Sequence, residues 1–145
     1  MKNDASRRAL FRFVIRLGAV LGASGVMLGA FGAHALRAHL SSEMLEIYKT
    51  GVLYHLLHAV AVLASASAMS RLRWPHVTVA LFTVGVTIFS GSLYILAMSG
   101  VRLWGAVTPL GGVSLIAGWL SLTMLRPSSQ DRPQTKSDSD QDSRE

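Results

Sequence analysis

Residues 17–36 read LGAVLGASGVMLGAFGAHAL, twenty residues without a charge. A helix needs about 20 mostly apolar residues to cross the hydrocarbon core of a bilayer, so this stretch is long enough to span one. Three more uncharged runs follow: 50–70 with 21 residues, 74–101 with 28 and 103–125 with 23. From 17 to 125 the only charged side chains are Arg37, Glu43, Glu46, Lys49, Arg71, Arg73 and Arg102. Inside lipid, only helices and closed barrels satisfy every backbone group. Barrel strands would alternate apolar and polar over roughly ten residues. These runs are continuously apolar and rich in Ala and Leu, which predicts helices. The fold class is therefore all-α, an integral membrane bundle of four transmembrane helices.

Composition agrees. Half of the 145 residues are hydrophobic and only 15% are charged, against roughly 25% in a soluble domain. The chain has no cysteine, which excludes disulfides, thiolate metal sites and a cysteine nucleophile. Residues 127–145 contain none of the apolar set and carry five acids and three bases. Such a segment cannot bury enough surface to offset its ordering entropy, so a disordered cytoplasmic tail is expected there. The expected organisation is a basic cytoplasmic segment at 1–16, a four-helix membrane domain at 17–126, and the tail.

The basic residues predict the orientation. With both termini cytoplasmic, the inner side holds eleven Lys and Arg and the outer side holds three, Arg37, Lys49 and Arg102. This is a strong positive-inside signal. It also accounts for the high pI without nucleic acid: the bases flank spans and form no groove with interleaved aromatics. Membrane lipid is the expected partner and nucleic acid is not. A secretory signal shares some features of the first span, a basic start, an apolar stretch and the small-x-small triplet Ala33-His34-Ala35. The length of the stretch, its regular glycines and the further spans favour a retained helix.

Within the first span, Gly18, Gly22, Gly25, Gly29 and Gly32 recur at spacings of 4, 3, 4 and 3, which keeps them on one face. Such a stripe lets two helix backbones approach closely, and its seven-residue period predicts a left-handed crossing. Internal packing is the first reading. A homo-oligomer seam or a membrane-protein partner would use the same chemistry. Around the spans, Ser6 is a candidate cap for the first helix. Ser41 or Ser42 before Glu43 suits the start of the second. Residues 71–75 form a tight basic hairpin into the third. The fourth span has two candidate starts, near Leu103 or at Thr108-Pro109; Thr108 as N-cap with Pro109 at the first helical position favours the second, with 100–107 lying along the outer interface.

Polar residues in the spans are few. Under the expected orientation His34, Tyr54, His58, Ser90, Tyr94 and Thr108 all fall toward the outer half of the bilayer, and they are the candidate binding cluster. The plain reading is interhelical glue. The sharper one is a ligand-binding or transport site, since histidine gains protons and binds metals near neutral pH. A metal site is not expected, because His55-x-x-His58 supplies two ligands at best. Gly111 and Gly112 open the fourth span and suit helix packing. The spans contain no Asp or Glu, so the usual relay carboxylates of pumps are missing. No phosphate loop, zinc-protease, nucleophile-elbow or kinase motif occurs. No catalytic residue, no cofactor and no enzymatic activity are expected.

Several segments taken in order, GAFGAHAL at 29–36, YHLLHA at 54–59, FSGSLY at 89–94, TPLGG at 108–112 and the Gly-Trp pair at 118–119, resemble the small bacterial inner-membrane proteins grouped as domain of unknown function 423. The resemblance covers roughly residues 15–125. It implies a four-span, multi-pass protein of the bacterial cytoplasmic membrane and brings no established activity. Ala35 stands where that pattern more often has Gly. His55 stands where it commonly has Gln, which directs attention to His58 instead.

Overall fold

In a computed structural model, which describes residues 2–124, the chain forms four helices: α1 (Lys2–His34), α2 (Ser42–Ala68), α3 (Pro75–Ser99) and α4 (Leu103–Ser121). A single 3-10 turn, Leu36–Ala38, separates α1 from α2. All four are long and apolar enough to cross a membrane. The expected tail at 127–145 lies outside the described residues.

Local chemistry sets the boundaries. Ser41 caps α2, its hydroxyl accepting from the Met44 amide at 3.3 Å, and Glu43 lies in the first turn. Pro75 occupies the first turn of α3, where its missing N–H costs nothing. Gly100 ends α3 in the left-handed conformation at φ 69°, a geometry that glycine adopts without steric penalty.

Two boundary expectations are corrected. Ser6 does not start α1, which already runs from Lys2. The Ala, Arg and Leu residues around Ser6 are good helix formers and extend the helix through it. Likewise, α4 begins at Leu103 rather than Pro109, so residues 103–107 are helical and Pro109 is interior. An apolar backbone in lipid gains more from closing its own hydrogen bonds than it loses at one proline. The bond forgone is the one Pro109 would donate to the Gly105 carbonyl.

Successive helices are antiparallel, and the extensive interfaces are α1/α2, α2/α3 and α3/α4. The glycine stripe lies on α2. A Cβ on Gly18 would meet Leu63, one on Gly25 would meet Leu56, one on Gly29 Val52, and one on Gly32 the Tyr48 ring at 2.5 Å. Each step forward along α1 is matched, to within one residue, by a step back along α2. Gly22 is the exception, with nothing among the described residues within 4 Å of a Cβ there. The α3/α4 pair interlocks similarly: Gly85 receives Leu115, while Gly111 and Gly118 receive Phe89 and Phe82. At Gly111 the neighbour is the Phe89 backbone itself.

The apolar core gathers Val14, Val62, Phe82, Val86 and Leu115 from all four helices. It sits toward the end where α1 begins and α2 turns into α3, hereafter the basic end because Arg7, Arg8, Arg12, Arg71 and Arg73 cluster there. Facing away from the neighbours, Val20, Val26 and Met27 of α1 and Leu110, Val113, Ile116 and Leu120 of α4 are each at least 60% exposed. In water this would be a large apolar patch. In a bilayer it is the ordinary lipid-facing surface.

Candidate functional site

The sequence places its chemistry on α2, the central helix. His55 and His58 are three residues apart, so they project from one side of α2 but at different angles. Each reaches a different neighbour, and each imidazole has both nitrogens engaged.

His55 lies between α1 and α3. Its Nε2 is 3.3 Å from Ser24 Oγ and its Nδ1 is 3.2 Å from the Tyr94 hydroxyl. The Ser24 hydroxyl donates its one proton to the Leu21 carbonyl at 3.0 Å. Ser24 Oγ must therefore accept from His55 Nε2–H, which leaves Nδ1 to accept from Tyr94. The chain runs in one direction: Tyr94 to His55 to Ser24 to the Leu21 carbonyl. Tyr48 closes it from below, its ring centroid 4.9 Å from that of Tyr94 and its hydroxyl donating to the Leu28 carbonyl at 2.9 Å.

His58 lies between α2 and α4 and is 2% exposed. Trp119 Nε1 donates to its Nε2 at 3.2 Å. An indole N–H can only donate, so Nε2 carries no proton. His58 Nδ1 must then be protonated, and it donates to the Tyr54 carbonyl at 2.8 Å. The two histidines hold opposite tautomers, each fixed by its partners. Around His58 pack the rings of Tyr54, Phe82 and Trp119, with centroids 5.8, 5.8 and 6.1 Å away.

The α3/α4 seam has its own polar links. Ser92 Oγ and Thr108 Oγ1 are 2.8 Å apart, Ser114 donates to the Leu81 carbonyl at 2.9 Å, and Ser121 donates to Thr78 at 2.8 Å. Each large helix interface except α2/α3 near its basic end is thus tied by at least one hydroxyl or imidazole. Such bonds contribute about 0.6 kcal/mol each on average in membrane proteins.

The six residues singled out by sequence separate into groups. Tyr54 and His58 are stacked together, and Tyr54 also lies 4.4 Å from Phe89 between ring centroids. Tyr94 belongs to the His55 chain and Thr108 to the α3/α4 seam. Ser90 is 1% exposed, and its Oγ has no hydrogen-bond partner among the described residues. His34 is not part of any of this. It is exposed at the end of α1, close to the level of Tyr48, whereas His58 lies ten residues further along α2, roughly 15 Å away along its axis. The single shared cluster does not form. Nor does His58 lie in the half expected. It is level with Phe82 and Trp119, nearer the basic end, because α2 begins at Ser42, sixteen residues before His58, and ends at Ala68, ten residues after it.

Sequence reasoning gave no role to Ser24 or Trp119, set His55 aside in favour of His58, and left Ser92 within the motif at 89–94. Ser24 sits beside Gly25 on the stripe, so its approach to α2 was legible from spacing. Trp119 entered only through the Gly-Trp pair of the resemblance and gave no sign of its partner. Among the described residues no group of three His, Cys, Asp or Glu side chains is arranged to hold a metal ion.

Comparison with known proteins then places the chain. The family model described as "Protein of unknown function (DUF423)" matches residues 28–112. The UPF0382 inner membrane protein YgdD of Escherichia coli strain K12 is 45% identical over 113 residues, covering 74% of this chain and 84% of the relative. The UPF0382 membrane protein YwdK of Bacillus subtilis is 41% identical over 115 residues, covering 77% and 93%. The Staphylococcus saprophyticus membrane protein SSP2132 is also 41% identical, over 116 residues. No solved structure matches.

Proposed function

The chain belongs to the DUF423 family, and on that premise we propose that this multi-pass inner-membrane protein works without catalysis, as a packing component that associates through its outer faces with a second copy or a larger membrane complex. One observation carries the reading. The buried imidazoles, the groups most suited to chemistry, are fully engaged, His55 with α1 and α3 and His58 with α4 and its own helix, so they serve the bundle. What is left open is apolar surface on α1 and α4. The glycine stripe is occupied by α2, so association uses other faces than the stripe. Both termini lie on the cytoplasmic side in this proposal, a reading supported by the distribution of bases.

The absence of native cysteine makes the test clean. Single cysteines at Val20, Met27, Val113 and Ile116 are oxidised in native membranes. Disulfide-linked dimers, or adducts with another membrane protein, from one helix face are expected. Only monomer from all four positions overturns the proposal.

A second reading, a small ligand-binding bundle, is favoured by Ser90. A hydroxyl buried without a partner costs about 1–3 kcal/mol, and a polar guest would remove that cost. Ser90→Ala decides: higher thermal stability in native lipid means no guest, and lower stability means one is bound.

A further inference from the structure

At the basic end the first turns of α1 and the last turn of α2 enclose an open groove of about 840 Å³. Arg7, Arg8 and Arg12 line it from α1, with Phe11 between them, and Ala66 and Ser67 of α2 and Met69 and Ser70 just after it line the other side. We propose that this groove binds an anionic phospholipid, its phosphate held by the three arginines and the start of its acyl chain lying along Phe11 and Met69.

Three observations support it. The first is charge. Residues 1–16 carry Lys2, Arg7, Arg8, Arg12 and Arg16 against Asp4 alone, so an excess of positive charge remains however Asp4 is paired. Glu43 and Glu46, the latter paired with Lys49 at 2.6 Å, lie at the opposite end of α2. The second is depth. From His34, Arg12 and Arg7 are roughly 33 and 40 Å along α1 at 1.5 Å per residue. That passes the ~30 Å hydrocarbon core and falls within the headgroup layer. The third is the mixed lining. A phosphate-only site needs donors, but this groove also presents an exposed Phe11 and a methionine beside the arginines. That pairing suits a molecule with a charged head and an apolar body. Guanidinium groups match phosphate oxygens with paired donors, and basic pockets between spans are suited to anionic headgroups.

The test is native mass spectrometry of the full-length protein released from mixed phosphatidylglycerol and phosphatidylcholine nanodiscs. The wild type retains phosphatidylglycerol in preference. The Arg7→Gln/Arg8→Gln/Arg12→Gln variant loses that preference, by roughly fivefold for each arginine removed. An Arg16→Gln/Arg37→Gln/Arg102→Gln variant, equal in charge but outside the groove, keeps it. Ser67→Trp, which fills the groove and leaves every arginine in place, also abolishes retention and guards against a charge variant that misfolds. Equal retention of both lipids overturns the proposal, as does equal loss in the two triple variants. So does retention that rises when the five acids of residues 127–145 are neutralised, because the groove would then belong to the chain's own acidic segment.

Discussion

Trp119 donates its indole N–H to the Nε2 of His58, sixty-one residues earlier in the chain, across 3.2 Å. This bond is the polar tie between α2 and α4, and it fixes which nitrogen of His58 carries the proton. Trp119→Phe keeps an aromatic side chain but removes the donor along with the pyrrole half of the indole. The orphaned nitrogen lowers stability by about 1–2 kcal/mol, read as a lower midpoint of unfolding in detergent. The double-mutant cycle with His58→Ala sharpens the prediction. The two losses are non-additive, since each removes the same bond. Full additivity would mean that the contact contributes nothing.

The glycines are predicted to differ sharply under substitution by alanine. Gly111→Ala places a methyl group against the Phe89 backbone, which cannot move aside without shifting α3. The cost is about 1–3 kcal/mol, typical of overpacking. Gly32→Ala crowds the Tyr48 ring, which is wedged against Tyr94, and is similarly destabilising. Gly22→Ala meets open space and gains helix propensity, so its stability is unchanged or raised by up to about 1 kcal/mol. Thermal melts of the three variants in one detergent check the order.

Orientation is predicted from the charges. A cysteine in place of Arg37 or Arg102 reacts with a membrane-impermeant maleimide in intact cells. One in place of Arg71 reacts only after the membrane is permeabilised. The reverse pattern would place the termini outside.

The number of helices and most of their ends were legible in the sequence because charge is so costly in lipid that its positions partition the chain. The glycine stripe was legible for the same kind of reason: its spacing is a one-dimensional record of a helix face. Its partner was not. Nothing in the run 17–36 states that α2 rather than a second chain would cover it. The start of α4 was misread because Thr108-Pro109 is a good capping signal in water, while lipid favours continuing the helix. The site was only half legible. Tyr54, His58 and Tyr94 stood out as polar residues in apolar runs. Which of them meet depends on the angle at which each leaves its helix, and His55 and His58, three residues apart, reach different neighbours. Ser92 and Ser90 are equivalent by composition, yet the packing of α4 pairs one with Thr108 and leaves the other without a partner among the described residues.

The central claim is that the buried histidines are locked into the helix packing, each by two fixed partners. Nitrogen-15 NMR of histidine-labelled protein in nanodiscs, assigned with His→Gln variants, tests it most directly. His58 should show a protonated Nδ1 and a bare Nε2, and His55 the opposite, while the exposed His34, His39 and His76 give averaged signals. If His55 and His58 also give the averaged signal of a solvent-exposed ring, the imidazoles are not locked, and the account is contradicted.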